Sequence, residues 1–301
     1  MGIINLINDL LWTYILVALL LGCAVWFTLR TRFVQFRMIK EMVRLLGDSG
    51  GKGDAKEKHI SSFQAFAISI ASRVGTGNLA GVATAIAVGG PGAVFWMWIS
   101  AFLGMCTKFS EVTLAVHFRE TNPDGDLAGG PMYYIKNGLG KKWMWLAYLF
   151  SIFGILTVFG TGNATQVNTI VTAIDSAVLA YNTSVKSFLP TLNLIVGVVV
   201  AMLVAMVLLG GIKRIGSVTE KLVPFMALFY VVLAVGVVVL NVQRLPYVLE
   251  SIIAGAFNPR AFTGGAIGSV FLSVQKGVSR GIFSNEAGLG TGSIAHACAD
   301  T

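Results

Sequence analysis

The chain has 301 residues, 55% of them apolar and only 12% charged, against roughly 25% charged in an ordinary soluble protein. That balance excludes a conventional soluble enzyme, and the 35 glycines suit a bilayer protein, where Gly is tolerated inside helices. The formal charge of +8 would suggest a nucleic-acid partner only if the bases shared one soluble face, and their distribution along the chain excludes that.

A helix needs about 20 apolar residues to cross the hydrocarbon core, and seven segments qualify: 10–29, 60–87, 92–118, 143–174, 187–212, 222–243 and 261–297. The first has an almost uncharged start and no small-residue cleavage site after it, so it reads as a peripheral N-terminal span rather than a signal peptide. Residues 30–59 then form a cytoplasmic loop. In it, Phe33, Val34, Phe36, Met38, Ile39, Met42, Val43, Leu45 and Leu46 alternate with Arg37, Lys40, Glu41 and Arg44 at helical spacing. Two readings fit, an amphipathic helix on the inner membrane surface or a loop helix packed on the core. The run Gly47–Gly53 (GDSGGKG) predicts a hinge, and it lacks the context and ending of a phosphate loop.

The 60–87 segment is interrupted by SRVGTGN at 72–78. A break at bilayer depth is tolerated only where the freed backbone lines a cavity or is buried in protein. Freed amides of Gly75, Thr76, Gly77 and Asn78 would sit at the positive end of a half-helix and suit a carboxylate. Freed carbonyls from Ala71 to Val74, with the Asn78 amide oxygen, would suit a hard cation. The competing reading is that the glycines only permit close helix packing.

In 92–118, Lys108 and Glu111 are one turn apart and can neutralise each other. The 143–174 span carries Thr157, Thr161, Thr165, Asn168 and Thr172 every three or four residues, with Asn163 and Gln166 beside them. Thr165, Gln166 and Asn168 are expected to line a pocket, and the others to bond between helices.

The last segment contains eight glycines between Gly264 and Gly292, with Gln275, Lys276, Ser279 and Arg280 at mid-span. It lies five spans after the first broken segment and runs the opposite way. Paired glycine-interrupted helices in oppositely oriented halves are the sign of an inverted-repeat transporter with a midplane site. The halves would be a five-helix repeat over 60–243 and the first broken helix of a second repeat at 261–297. Arg73, Arg280 and Glu286 are candidate gate residues around the breaks, with Lys276 beside them, because ionisable groups in the bilayer are costly; snorkelling of their long stems is the alternative.

Of the 22 Lys and Arg, fifteen fall in alternate connections (Arg30–Lys58, Arg119–Lys142 and Lys213–Lys221), whereas Lys186, Arg244 and Arg260 lie in the others. Short cytoplasmic loops collect such residues, which places the N-terminus outside and Thr301 inside. Cys23, Cys106 and Cys298 have no paired spacing and His59, His117 and His296 no ligand spacing, so neither disulfide nor metal site is indicated. No nucleophile–base or paired-carboxylate constellation points to an enzyme.

The run GGPGAVFWMWISAFLG at 89–104, with SRVGTGNLAG before it and GGPMYYI at 129–135 and SNEAGLGT at 284–291 after it, resembles the alanine or glycine:cation symporter family, also called the sodium:alanine symporter family. The resemblance spans essentially the whole chain. It implies an all-α, leucine-transporter-type inverted-repeat carrier in the bacterial or archaeal plasma membrane that takes up alanine or glycine with Na⁺, without an enzymatic cofactor. By position it implies that Thr76 and Gly77 offer amides to the substrate carboxylate, that Asn78 ligates sodium, and that carbonyls of Ala71 and Val74 serve a second sodium. It further implies that Ser273, Gln275, Gly277 and Ser279 contact substrate or ion. Members of the family run well past the SNEAGLGT block, so a C-terminally truncated chain, with only the first repeat complete, is expected. The competing functions are an ion channel and a proton-coupled amino-acid transporter.

Overall fold

The computed structural model describes residues 2–47, 60–123, 125–257 and 270–299, and these are almost entirely helical. Most of the expected hinge, and Gly264, Gly265 and Gly268, lie outside the described residues. Helical turns at Gly2–Asp9 and a π-helical stretch Leu10–Leu16 lead into α1 (Val17–Arg30). The chain reverses at Arg32 and Phe33, both at positive φ, and buries Val34 and Gln35. Cys106 Sγ donates to Gln35 Oε1 at 2.7 Å, tying this turn to a later span. In α2 (Ile39–Gly47) the side chains of Ile39, Met42, Val43 and Leu45 are exposed rather than packed in a core.

Helix α3 (Ser62–Arg73) starts from a capping box, in which Ser61 Oγ accepts from Gln64 N and Gln64 Oε1 accepts from Ser61 N, both at 3.1 Å. Helix α4 (Thr76–Gly89) resumes the path after a break, and α5 (Gly92–His117) follows. A two-stranded antiparallel hairpin, β1 (Glu120–Thr121) and β2 (Leu127–Ala128), pairs Glu120 with Ala128. Beside it Lys136 Nζ donates to Glu120 Oε1 at 2.8 Å, and with Asn137 it holds the Glu120 carboxyl below its ordinary range.

After short helical turns between Pro131 and Trp143, the longer helices are α6 (Met144–Thr157), continued by a π-helical link Val158–Gly162, α7 (Ala164–Tyr181), α8 (Leu189–Leu208), α9 (Gly211–Leu240), α10 (Leu245–Phe257), α11 (Val270–Asn285) and α12 (Thr291–Ala297). Among the described residues, five helical runs are long and apolar enough to cross a membrane: Leu6–Arg30, Gly92–His117, Lys141–Tyr181, Ser184–Leu208 and Gly211–Leu240. The pairs α3–α4 and α11–α12 reach comparable length only as broken helices. Leu194, Met202, Leu228 and Val237 on α8 and α9 are more than half exposed, as lipid-facing residues are.

Two boundaries differ from expectation. Lys213, Arg214 and Lys221 lie within the first turns of α9 rather than in a loop, because Gly211, at φ +69°, reverses the chain at once after α8 and the helix restarts there. Residues 245–257, expected as part of a connection, form α10. Its Ser251, Ile252, Gly255 and Ala256 are buried, and Gly92 and Gly255 meet backbone to backbone: a Cβ on Gly255 would stand 2.9 Å from Gly92 N.

The tightest packing is a small-residue seam between α5 and α11. A Cβ on Gly277 would stand 2.7 Å from Trp96 Cβ, one on Gly281 2.8 Å from Ser100 Cβ, and one on Gly104 3.1 Å from Ala287 Cβ. Trp96 Nε1 donates to Ala256 O at 3.3 Å, and Phe257 lies against Phe95 and Trp96, which gives the FWMW block a packing role.

Contacts at the two ends fix the relative direction of the broken helices. Ile60 N donates to Cys298 O at 3.3 Å, so the approach to α3 and the exit from α12 share one end. Ser273 Oγ donates to Gly89 O at 2.5 Å, so the close of α4 and the start of α11 share the other. The two broken helices therefore run antiparallel.

Candidate functional site

Between α3 and α4 the helical ladder stops and restarts. Val74 N still bonds Ile70 O at 2.8 Å, and the next turn begins with Asn78 N on Gly75 O at 3.0 Å. Gly75 is the extended N-cap of α4. Asn78 spans the gap, its Nδ2 donating to Arg73 O. The Gly77 amide, freed by the break, receives the side chain of Gln166 from α7, with Oε1 at 3.1 Å. A Cβ on Gly75 would stand 2.6 Å from Gln166 Nε2, so this glycine admits the glutamine. Thus a neutral acceptor on a neighbouring span sits at an amide expected to take a carboxylate.

The opposite side of the break is occupied by Arg280 of α11. Its Nη2 donates to Gly77 O at 2.8 Å and lies 3.4 Å from both Asn78 O and Asn78 Oδ1. The guanidinium lies on bare Gly81, where a Cβ would overlap it, and it also stacks 4.9 Å from the Phe283 ring centroid. Here an open cavity of about 460 Å³ is lined by Gly81, Thr84, Gln275, Lys276, Ser279, Arg280 and Phe283, with Asn8 and Trp12 from the N-terminal helix. No carboxylate is among its described lining residues, so Lys276 and Arg280 set its sign.

The second break, Glu286–Gly290, separates α11 from α12. Glu286 sits at φ +52°, a conformation uncommon for a side chain of this kind, and Gly288 and Gly290 follow at +93° and +77°. Lys108 and Glu111 of α5 form an ion pair at 3.2 Å whose side chains are 13% and 11% exposed. Lys108 Nζ also donates to Glu286 O at 3.2 Å, and Glu111 Oε1 accepts from Gly288 N at 2.7 Å. A Cβ on Gly292 would stand 2.7 Å from Lys108 Nζ and 3.2 Å from both Arg73 Nη2 and Glu286 Oε2. Two cations and two carboxylates are therefore gathered at this break, one of them brought from the first broken helix.

The structure brings Gly75, Gly77, Asn78, Gln166 and Arg280 together at the first break, and Arg73 and Glu286 together at the second. The Thr76 backbone begins α4, and Ala71 and Val74 lie in the last turn and C-cap of α3. Thr165 and Asn168 lie near Gln166 on α7 and are both exposed, so they do not line an enclosed pocket in the described residues. Gln275 and Ser279 line the cavity. Gly277 lies in the α5 seam and Ser273 at Gly89, both away from the first break.

One further signal lies in the sequence itself. GTGNLA at 75–80 returns as GTGSIA at 290–295, and in both copies Gly is the N-cap and Thr the first residue of the second half-helix. GTGN occurs once more at 160–163, ending the π-helical link that precedes Gln166.

The profile of the sodium:alanine symporter family matches residues 1–301. The chain is 44% identical over 304 residues to an uncharacterized transporter of Haemophilus influenzae, covering all of this chain and 63% of the relative. It is 40% identical over 305 residues to the sodium/alanine symporter AgcS of Methanococcus maripaludis, again covering all of this chain and 63% of that protein. To the probable sodium/glutamine symporter GlnT of Bacillus subtilis it is 41% identical over 299 residues, covering 99% of this chain and 59% of that protein. The chain thus spans about three fifths of the length of these relatives, and it belongs to the sodium:alanine symporter family.

Proposed function

We propose that the chain carries the ligand site of a secondary symporter that couples entry of a small neutral amino acid, alanine or glycine, to Na⁺ across the plasma membrane. The observation that carries this reading is the first break: a mid-helix gap whose freed Gly77 amide is met by a neutral side-chain acceptor and whose far side is held by an arginine. The substrate carboxylate takes the amides of Gly75, Thr76 and Gly77, displacing Gln166 Oε1 from Gly77 N, and Gln166 then offers its amide group to the bound amino acid. Na⁺ takes the Asn78 side-chain oxygen and carbonyls of the last α3 turn, Ala71 and Val74 among them. Thr165, Asn168, Gln275, Gly277 and Ser273 are second-rank candidates for substrate or ion contact.

The antiparallel broken helices and their GTG-[NS]-[LI]-A copies support an inverted repeat of the leucine-transporter type, with the Ile60 end cytoplasmic and the N-terminus outside. Arg73, Arg280 and Glu286 act as gate residues in alternating access, without covalent chemistry. A relative named for glutamine favours a second reading, a larger neutral side chain as substrate.

Asn78→Ala in the complete symporter tests the site, read as labelled-alanine binding titrated with Na⁺. The expected result is a loss of affinity of about tenfold or more at low Na⁺, in line with losing one charge-assisted contact. An unchanged Na⁺ dependence would contradict the assignment.

A further inference from the structure

Lys108 and Glu111 sit one turn apart, an arrangement that ordinarily makes a self-contained ion pair. Here both also hold the backbone of a different helix. Lys108 donates to the carbonyl of Glu286, and Glu111 accepts from the amide of Gly288, so the pair grips both sides of the reversal that ends α11. The gripped residue, Glu286, has a left-handed backbone that a non-glycine side chain disfavours, and such a conformation persists only where its surroundings impose it. Gly281 against Ser100, above the grip, and Gly104 against Ala287, within it, seat the second broken helix closely on α5. Gly292, just beyond the turn, has no Cβ, and the ends of Lys108, Arg73 and Glu286 converge on its bare face.

The first break is held differently, by residues of two separate helices: Gln166 of α7 on the Gly77 amide and Arg280 of α11 on the Gly77 carbonyl. There the freed amide meets a neutral Gln166 side chain, which a ligand can replace, whereas the second break is bonded on both sides to the adjacent Lys108–Glu111 pair. We propose that Lys108 and Glu111 are positioning residues that clamp the Glu286–Gly290 turn to α5. The clamp holds the Glu286 carboxylate towards Arg73 and makes α5 and the second broken helix one body, so that conformational change is concentrated at the first break. This deepens the transport reading by assigning unequal roles to two breaks of similar sequence.

The test does not need transport. Ala287 lies within the clamped turn and is 4% exposed, so Ala287→Cys gives a thiol that reacts with a membrane-permeant maleimide only when the turn opens. Labelling at position 287 is read by peptide mass spectrometry in membranes. Glu111→Ala is expected to speed labelling about tenfold or more, and Glu111→Gln, which keeps an acceptor for the Gly288 amide, to stay much closer to the parent rate. The exchange Lys108→Glu with Glu111→Lys restores opposite charges but puts a donor against an amide and an acceptor against a carbonyl, so it is expected to label as fast as Glu111→Ala.

Protection in the charge exchange equal to the parent would mean an ordinary ion pair and would overturn the clamp. So would Glu111→Gln labelling as fast as Glu111→Ala, a comparison that holds even if the exchanged pair does not fold. Absence of Na⁺-driven alanine uptake by the parent, with protection intact, would count against the transport reading and leave the clamp standing.

Discussion

Arg280 shows how little room the first break leaves. Its guanidinium occupies the space a side chain at position 81 would need, and from there it donates to Gly77 O and contacts Asn78. Gly81→Ala must therefore expel the arginine, removing a charged donor worth roughly 1.5–3 kcal/mol. The expected outcome is a loss of Na⁺-dependent alanine affinity of about tenfold or more, with Gly81→Ala and Arg280→Ala together no worse than the poorer single variant. Additive losses in a binding isotherm would show that the two residues act separately. The arginine itself was legible in the sequence as an ionisable group at bilayer depth, and so were Arg73 and Glu286. Their destinations were not, because each arginine reaches the other broken helix across roughly two hundred residues of chain, a relation that no local period records. Lys108 and Glu111 illustrate the same limit: their spacing predicted mutual neutralisation, which is present, but not the turn they hold.

At the scale of elements, the first break was legible because two glycines within three residues are poor continuous helix, whereas the second falls at Glu286–Gly290, beyond the Gln275–Arg280 stretch read as mid-span, which lies inside α11. The amphipathic pattern of 33–46 likewise marked α2. Less legible were α10, whose Leu245–Phe257 stretch is too short to register as a span, and the start of α9, where Lys and Arg in a first helical turn look like a loop. The glycines were ambiguous for a physical reason. The same residue type opens a break at Gly75, admits a side chain at Gly81 and permits helix contact at Gly277, and only the neighbours distinguish these uses. Gly92→Ala tests the contact use, since its Cβ would run into the Gly255 carbonyl. Overpacking of this kind costs about 1–3 kcal/mol, so the thermal midpoint in detergent should fall clearly. Gly236→Ala, with open space around it on α9, should leave the midpoint within error. Equal midpoints for both variants would deny the α5–α10 contact.

Across the whole molecule, charge, glycine and apolar length tell one story. Arg73, Lys108, Glu111, Arg280 and Glu286 gather at the two breaks, glycines such as Gly75 and Gly277 sit where helices stop or touch, and α8 and α9 carry long exposed apolar surfaces. The chain covers about three fifths of the length of its relatives, so the proposed transport cycle is tested on a protein of their full length. The most direct measurement is accumulation of labelled alanine in proteoliposomes containing the complete symporter, under an inward Na⁺ gradient. The account predicts that internal alanine rises above the external concentration and falls back when the gradient is collapsed. Equilibration without concentration, or accumulation that is indifferent to Na⁺, would contradict it.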